Sequence, residues 1–239
     1  MRKTAFYLRE YLFPFGCSLC GTSLLDVSET WYGLCHDCRA GIERELAENR
    51  AGELCDYCGK PLISEHERCL SCRNGETLAF DRAFVLFPYT GKYQRLLSAY
   101  KFQKNLALGN FFAGIINETL RQYDLSAEAD IVPVPPRPGK IRNAGWDQVE
   151  YIAKLLEKKS KIHKVNRCLR RLAVVSQKRL DRENRRTNLR GRIAPVRQVP
   201  KTAILIDDVM TTGSTLDACA AALKEGGAQT VYGLCLFYD

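Results

Sequence analysis

The stretch ILIDDVMTTGST occupies residues 204–215. AILI (203–206) is a wholly apolar run, the pattern of a central parallel strand covered on both faces. Asp207 and Asp208 follow at the expected strand end. Thr211, Thr212, Gly213, Ser214 and Thr215 then lead into a helical pattern from Ser214 to Glu225, which stops at Gly226-Gly227. In an open α/β sheet, ligands sit at the carboxyl ends of the strands. The first N–H groups of a helix are unpaired and carry partial positive charge, so an anion fits against them.

The two halves of the stretch suit two parts of one ligand. The hydroxyls add donors for a phosphate, and Gly213 lets the backbone approach it closely. Carboxylates would repel the same phosphate. They make sense as acceptors for sugar hydroxyls, with a magnesium ion nearby to balance charge. A ribose bearing a 5′-phosphate satisfies both. The plainer alternative is an acidic strand end followed by an ordinary Ser/Thr cap, which accounts for one or two hydroxyls and not for the whole cluster. The chain has neither G-x-x-x-x-G-K-[ST] nor G-x-G-x-x-G, so a P-loop and a dinucleotide fingerprint are excluded.

Outward from this stretch, strand and helix patterns alternate. Residues 83–89, 130–136 and 230–238 read as strands; 92–104, 106–123 and 147–159 read as helices. Phe102 is a possible member of the apolar stripe of the first helix. The class is therefore α/β with a largely parallel sheet over residues 76–239.

Residues 1–75 have a different texture. Eight of the eleven cysteines form four C-x-x-C knuckles: Cys17/Cys20, Cys35/Cys38, Cys55/Cys58 and Cys69/Cys72. Four thiolates make one tetrahedral zinc site, so four knuckles make two. Sequential pairing is expected, with inner loops of 14 and 10 residues. A crossed pattern, first knuckle with third and second with fourth, is the alternative. His36 and His66 lie close by and are read as bystanders. A disulfide framework would require an oxidising compartment. A segment this poor in large aliphatics cannot build a sufficient core, so the metal supplies folding energy. Cys168, Cys219 and Cys235 are expected as small buried hydrophobes.

Charge is uneven. Residues 137–201 carry 20 Lys/Arg against 5 Asp/Glu, or +15. The chain's net charge is +9, so the remainder is 9 − 15 = −6. Such a concentration suits a phosphate, a pyrophosphate or a nucleic-acid backbone. The bland alternative is a solvated helix face with a mobile loop. No run of eighteen apolar residues occurs. The basic, interrupted N-terminal lead-in does not read as a signal peptide, so a cytoplasmic location with no membrane span is expected.

ILIDDVMTTGST closely resembles the 5-phosphoribosyl-1-pyrophosphate (PRPP) motif of type I phosphoribosyltransferases. With the four knuckles, VPVPPRPGKIRNAGWDQ (132–148) and SQKRLDRENRRTNLRG (176–191), nearly the whole chain resembles the ComF family of competence-associated proteins. The resemblance implies a type I phosphoribosyltransferase-like sheet behind an N-terminal double zinc ribbon with four cysteines to each zinc. It implies Asp207 and Asp208 as the catalytic pair on the ribose 2′ and 3′ hydroxyls, and Thr211–Thr215 on the 5′-phosphate. Arg137, Lys140 and Arg142 would serve the pyrophosphate, and Gln177, Arg182 and Arg185 a loop closing over PRPP. Tyr89, Gly91, Lys101 and Phe102 match a further family pattern, with Lys101 a candidate for pyrophosphate. The pyrophosphate loop departs from that pattern in its prolines, and Trp146 stands where phenylalanine is more common. Two structural zinc ions and Mg²⁺ with PRPP are the implied cofactors. PRPP, single-stranded DNA and other competence proteins are the implied partners, in DNA uptake and natural transformation. Three functions follow as expectations: a PRPP-dependent transferase of unidentified acceptor, a non-catalytic single-stranded-DNA-binding factor, or a PRPP-sensing regulator. No acceptor-recognition insert or glutaminase nucleophile is identifiable.

Overall fold

The computed structural model describes residues 15–75, 77–123, 125, 128–159, 163–172 and 191–239. The ribbon region contributes helices α1 (Val27–Tyr32), α2 (His36–Ala51) and α3 (Leu70–Asn74). The chain then runs β1 (Arg82–Pro88), α4 (Gly91–Lys101), α5 (Ala107–Gln122), β2 (Asp130–Pro133), α6 (Lys140–Ala144) and α7 (Gln148–Lys159). It continues through β3 (Leu169–Arg171), β4 (Ile193–Pro195), β5 (Thr202–Met210), α8 (Ser214–Glu225) and β6 (Thr230–Tyr238). β1, β6, β5 and β2 lie side by side in that order as one parallel sheet. β3 and β4 form a separate antiparallel ladder.

The sheet is apolar on both faces because helices cover both. Side chains alternate along a strand with period two. Ile204 and Ile206 of β5, with Leu234 and Leu236 of β6, pack toward α4, α5 and α7. Ala203 and Leu205, with Val231 and Cys235, pack toward α8. The ribbons share these two cores. Cys17, Leu24, Leu34, Ile42 and Leu46 join the α5 side, while Cys55 and Cys58 join the α8 side. An aromatic group anchors the first core. Phe237 is fully buried, with Phe112 at 5.7 Å and Phe87 at 5.9 Å between ring centroids. Phe237→Ala is expected to cost about 3–5 kcal/mol, read as a lower urea midpoint at unchanged slope.

Three boundaries differ from those expected, each for a local reason. β5 does not end at Ile206 but continues through both acids to Met210, held by its pairing with β6 as far as Met210 opposite Tyr238. β2 stops at Pro133, opposite Ile206, and Pro135-Pro136 turn the chain away. β5 therefore loses its β2 neighbour where the acids begin. α4 stops at Lys101, and Phe102 is 71% exposed instead of joining the apolar stripe. The one-turn α6 has no counterpart in the sequence pattern. It starts after Gly139 and ends before Gly145, both at positive φ, which permits so short a helix.

Candidate functional site

The metal centres are built from duplicated local geometry. Cys17, Cys20, Cys35 and Cys38 bring their sulfurs within 4.8 Å of one another, and Cys55, Cys58, Cys69 and Cys72 do the same. Sequential pairing is thus the arrangement adopted. Cys20 and Cys35 lie 3.7 Å apart at Sγ, as do Cys58 and Cys69. A tetrahedron of ~2.3 Å Zn–S bonds has edges of about 3.8 Å, so both thiolate sets fit zinc. In each ribbon the first knuckle is a tight turn closed by a glycine at positive φ. Gly21 N donates to Cys17 O, and Gly59 N to Cys55 O, at 2.9 Å. The second knuckle is the first turn of a helix, with Cys35 and Cys69 as N-caps of α2 and α3. His36 and His66 lie beside Asp37 and Glu53, outside both sulfur clusters. Cys168, Cys219 and Cys235 are buried, as expected.

Where β2 departs from β5, a cleft of about 640 Å³ opens, lined by Asp207, Asp208, Thr215, Lys101, Lys140 and Arg137 among others. The alternation of β5 continues through the acids. Asp208 lies on the α7 side, where its Oδ2 accepts from Lys101 Nζ at 2.8 Å and from Gln148 Nε2 at 2.7 Å. Lys140 donates to Asp147 Oδ2 at 2.5 Å and to Gln148 Oε1. The other Asp147 oxygen accepts from the backbone N–H groups of Val149 and Glu150, capping α7. A continuous polar chain therefore runs Asp147, Lys140, Gln148, Asp208, Lys101.

Electrostatics separate the two acids. Burial, then the charge of Asp208, pushes the Asp207 carboxyl well above the ordinary carboxylate range. Burial also acts upward on Asp208. The Lys101 charge and the hydrogen bonds from Lys101 and Gln148 outweigh it and hold Asp208 below its ordinary value. The pair thus combines a carboxyl that retains its proton readily with one held as an anion. Beside them, Gly213 caps α8 at φ 75°, ψ −3°. Thr212 and Ser214 hydroxyls meet at 2.7 Å.

The pyrophosphate-loop cations divide. Lys140 faces the acid cleft, and Arg142 faces a neighbouring groove of about 820 Å³. Two residues along a helix differ by about 200°, so α6 sends them to opposite sides. Arg137 and Arg171 line both spaces. The groove also takes Arg167, Arg170 and Arg197, and among the described residues no carboxylate lines it. Gln177, Arg182 and Arg185 lie outside the described residues, between β3 and β4. Sequence reasoning missed Asp147 and Gln148 although both stand in the quoted 132–148 motif. An isolated Gln carries no signal until α7 places it 2.7 Å from an acid 60 residues away. Trp146 packs edge-on against Tyr100 at 5.3 Å, a structural role.

The fold defines a class: a parallel α/β domain of phosphoribosyltransferase-like form preceded by two four-cysteine ribbons. The double zinc ribbon domain family matches residues 8–73. The competence protein ComFC of Streptococcus pneumoniae is 31% identical over 234 residues, covering 90% of this chain and 96% of that one. Competence protein F of Haemophilus influenzae is 25% identical over 212 residues, covering 83% and 87%. ComFC of Bacillus subtilis is 26% identical over 238 residues, covering 88% and 89%. The chain belongs to the ComF family. No described helix is long and apolar enough to cross a membrane.

Proposed function

We propose that the acid cleft binds PRPP, that the chain is a phosphoribosyltransferase-like member of the ComF family, and that it serves DNA uptake in natural transformation. One observation carries this reading. Two carboxylates, Thr215 in the first turn of α8 and the cations Lys101, Lys140 and Arg137 converge on one cleft at the carboxyl edge of the sheet. Asp207 and Asp208 accept the ribose hydroxyls, Thr211–Thr215 donate to the 5′-phosphate, and Arg137 and Lys140 face the pyrophosphate. In the transfer, the ribose C1–O bond to pyrophosphate breaks and an acceptor nucleophile bonds to C1. Cations aimed at the departing oxygens stabilise that charge separation. The oxygen-only donor set of the acids suits Mg²⁺, which when bound with PRPP supplies further positive charge to the leaving group.

Calorimetric titration with PRPP and Mg²⁺ tests binding, and a screen of nucleobases and amines for pyrophosphate release tests transfer. Saturable binding with release in the presence of one acceptor is the expected result. Binding without release for any acceptor would favour a PRPP-sensing regulator instead. Absence of binding would end the PRPP reading.

The arginine groove favours a second role, contact with a nucleic-acid backbone, as the relatives' names as competence proteins also suggest. Single-stranded DNA is expected to bind with an affinity that falls steeply with salt. Arg170→Ala and Arg197→Ala should each flatten the log–log slope by about 0.7. A slope unchanged in both variants would place DNA elsewhere.

A further inference from the structure

The second ribbon reaches the hydroxyl loop through a short strap, residues 77–80. Tyr57, in the knuckle between Cys55 and Cys58, holds this strap at Leu78. Its hydroxyl donates to Leu78 O at 2.9 Å and accepts from Leu78 N at 2.6 Å. Its ring stacks on Phe80 at 5.2 Å. Its backbone carbonyl accepts from Ala83 N at 2.7 Å, which also covers the outer edge of β1. The far side of the strap presses on the start of α8. A Cβ on Gly213 would stand 2.9 Å from Leu78 Cδ1 and 3.7 Å from Phe80 Cε1. Ala79 N donates to Asp217 Oδ1 at 2.8 Å, in the first turn of that helix.

The first ribbon makes different contacts. Its Ser18 hydroxyl accepts from Asn105 Nδ2 at 2.9 Å, and its Trp31 carbonyl accepts from Asn110 Nδ2 at 3.1 Å. α2 bonds α4 through Glu45 to Lys92 and Tyr93. These contacts lie on the α4 and α5 side, away from α8. The two ribbons repeat one local design and dock on opposite sides of the sheet.

We propose that the second ribbon is a positioning device for the hydroxyl loop, acting through Tyr57, Leu78 and Phe80. The four thiolates fix the knuckle and the knuckle fixes Tyr57. Tyr57 in turn fixes the strap, which holds Gly213 in its left-handed conformation and orients the first turn of α8. Tyr57, Leu78 and Phe80 are positioning residues: they touch the loop's scaffold and not its ligand. The consequence for ligand affinity rests on the reading that this loop binds a 5′-phosphate.

Tyr57→Phe tests the chain of contacts, because it keeps the stacked ring and removes both hydrogen bonds. Leu78→Ala is the second variant, since it opens space above Gly213 with Tyr57 intact. Hydrogen exchange of residues 211–217 is followed in the ligand-free full-length protein, with zinc content measured in parallel. Both variants should retain two zinc ions per chain and exchange faster at 211–217. Loss of two net hydrogen bonds in Tyr57→Phe corresponds to roughly thirtyfold faster exchange and to PRPP binding weakened by up to roughly the same factor. Asn105→Ala, which severs a first-ribbon contact, should change neither quantity. Unaltered exchange at 211–217 in both strap variants would overturn the proposal, as would an equal response to Asn105→Ala. If exchange responds while the wild-type protein fails to bind PRPP, the positioning role stands and the ligand reading falls.

Discussion

Stripping the protein with a zinc chelator is expected to make eight thiols titrate rapidly while the other three lag behind, reacting only as the α/β core opens. The eight are the ribbon cysteines, whose sulfurs converge in two sets of four. Structural zinc in ribbons of this kind contributes about 10–16 kcal/mol, comparable with the entire ~5–15 kcal/mol stability of a domain. The ribbon segment has no core of its own to substitute for it. Its buried side chains, Leu24, Leu34, Ile42 and Leu46, pack into the same cluster as α4 and α5. Losing the metal should therefore expose apolar surface on the first core and lower the thermal midpoint of the whole chain, not of the ribbons alone. Cys168, Cys219 and Cys235 behave differently because they are packed in the α/β core. Burial pushes the Cys168 thiol up to about 11 and raises the other two as well, so little reactive thiolate forms. Thiol titration with and without chelator, alongside a melt, reads all of this. Eleven equally reactive cysteines before chelation would remove the two metal centres from the description of the protein.

Replacing Asp207 is expected to change stability and ligand binding with opposite signs, and replacing Asp208 to lower both. Each carboxylate that accepts from a ribose hydroxyl is worth about 1.5–3 kcal/mol, or roughly ten- to a hundredfold in affinity. On the proposed reading of the cleft, the double variant D207N/D208N is accordingly expected to bind PRPP at least about a hundredfold more weakly, and any DNA binding proposed for the separate arginine groove should not change. Asp207→Asn alone should nevertheless raise the thermal midpoint at neutral pH, because burial and the charge of Asp208 disfavour the ionised carboxyl that the unfolded chain carries at this position. The pH dependence fixes the sign. A carboxyl whose folded pKa is raised costs nothing below the unfolded value near 3.9, and its cost grows as pH rises from there toward the folded value. The stability advantage of Asp207→Asn should thus widen from about pH 4 upward. Asp208 acts the other way: its depressed folded value contributes stability above about pH 3.9 that is lost on acidification through that lower value. Asp208→Asn should lower the midpoint at neutral pH. A stabilising Asp208→Asn, or a destabilising Asp207→Asn, would show that the electrostatic assignment of the pair is reversed.

What the sequence determined by itself is whatever short-range spacing encodes. A C-x-x-C turn closed by Gly21 or Gly59 fixes two sulfurs within a few residues, so the eight ligands were legible as a set. The apolar run of 203–206, the adjacent acids and the hydroxyls around Gly213 lie within thirteen residues, so a strand, an acidic edge and a helix start were legible together. Pattern alone also placed β1, α5, α7 and β6 to within a few residues. Spacing could not decide between sequential and crossed zinc pairing, because that depends on how knuckles fold against one another across loops of 14 and 10 residues. Nor could it decide that Lys140 and Arg142 part company, since α6 exists only between two glycines in left-handed turns. Gln148 and Lys101 became partners of Asp208 only when β2 stopped short of the acids and α7 and the end of α4 closed over the gap. Two ribbons of one local design went to opposite sides of one sheet for the same physical reason. Local chemistry specifies each unit, while packing of distant apolar faces decides which surfaces those units meet.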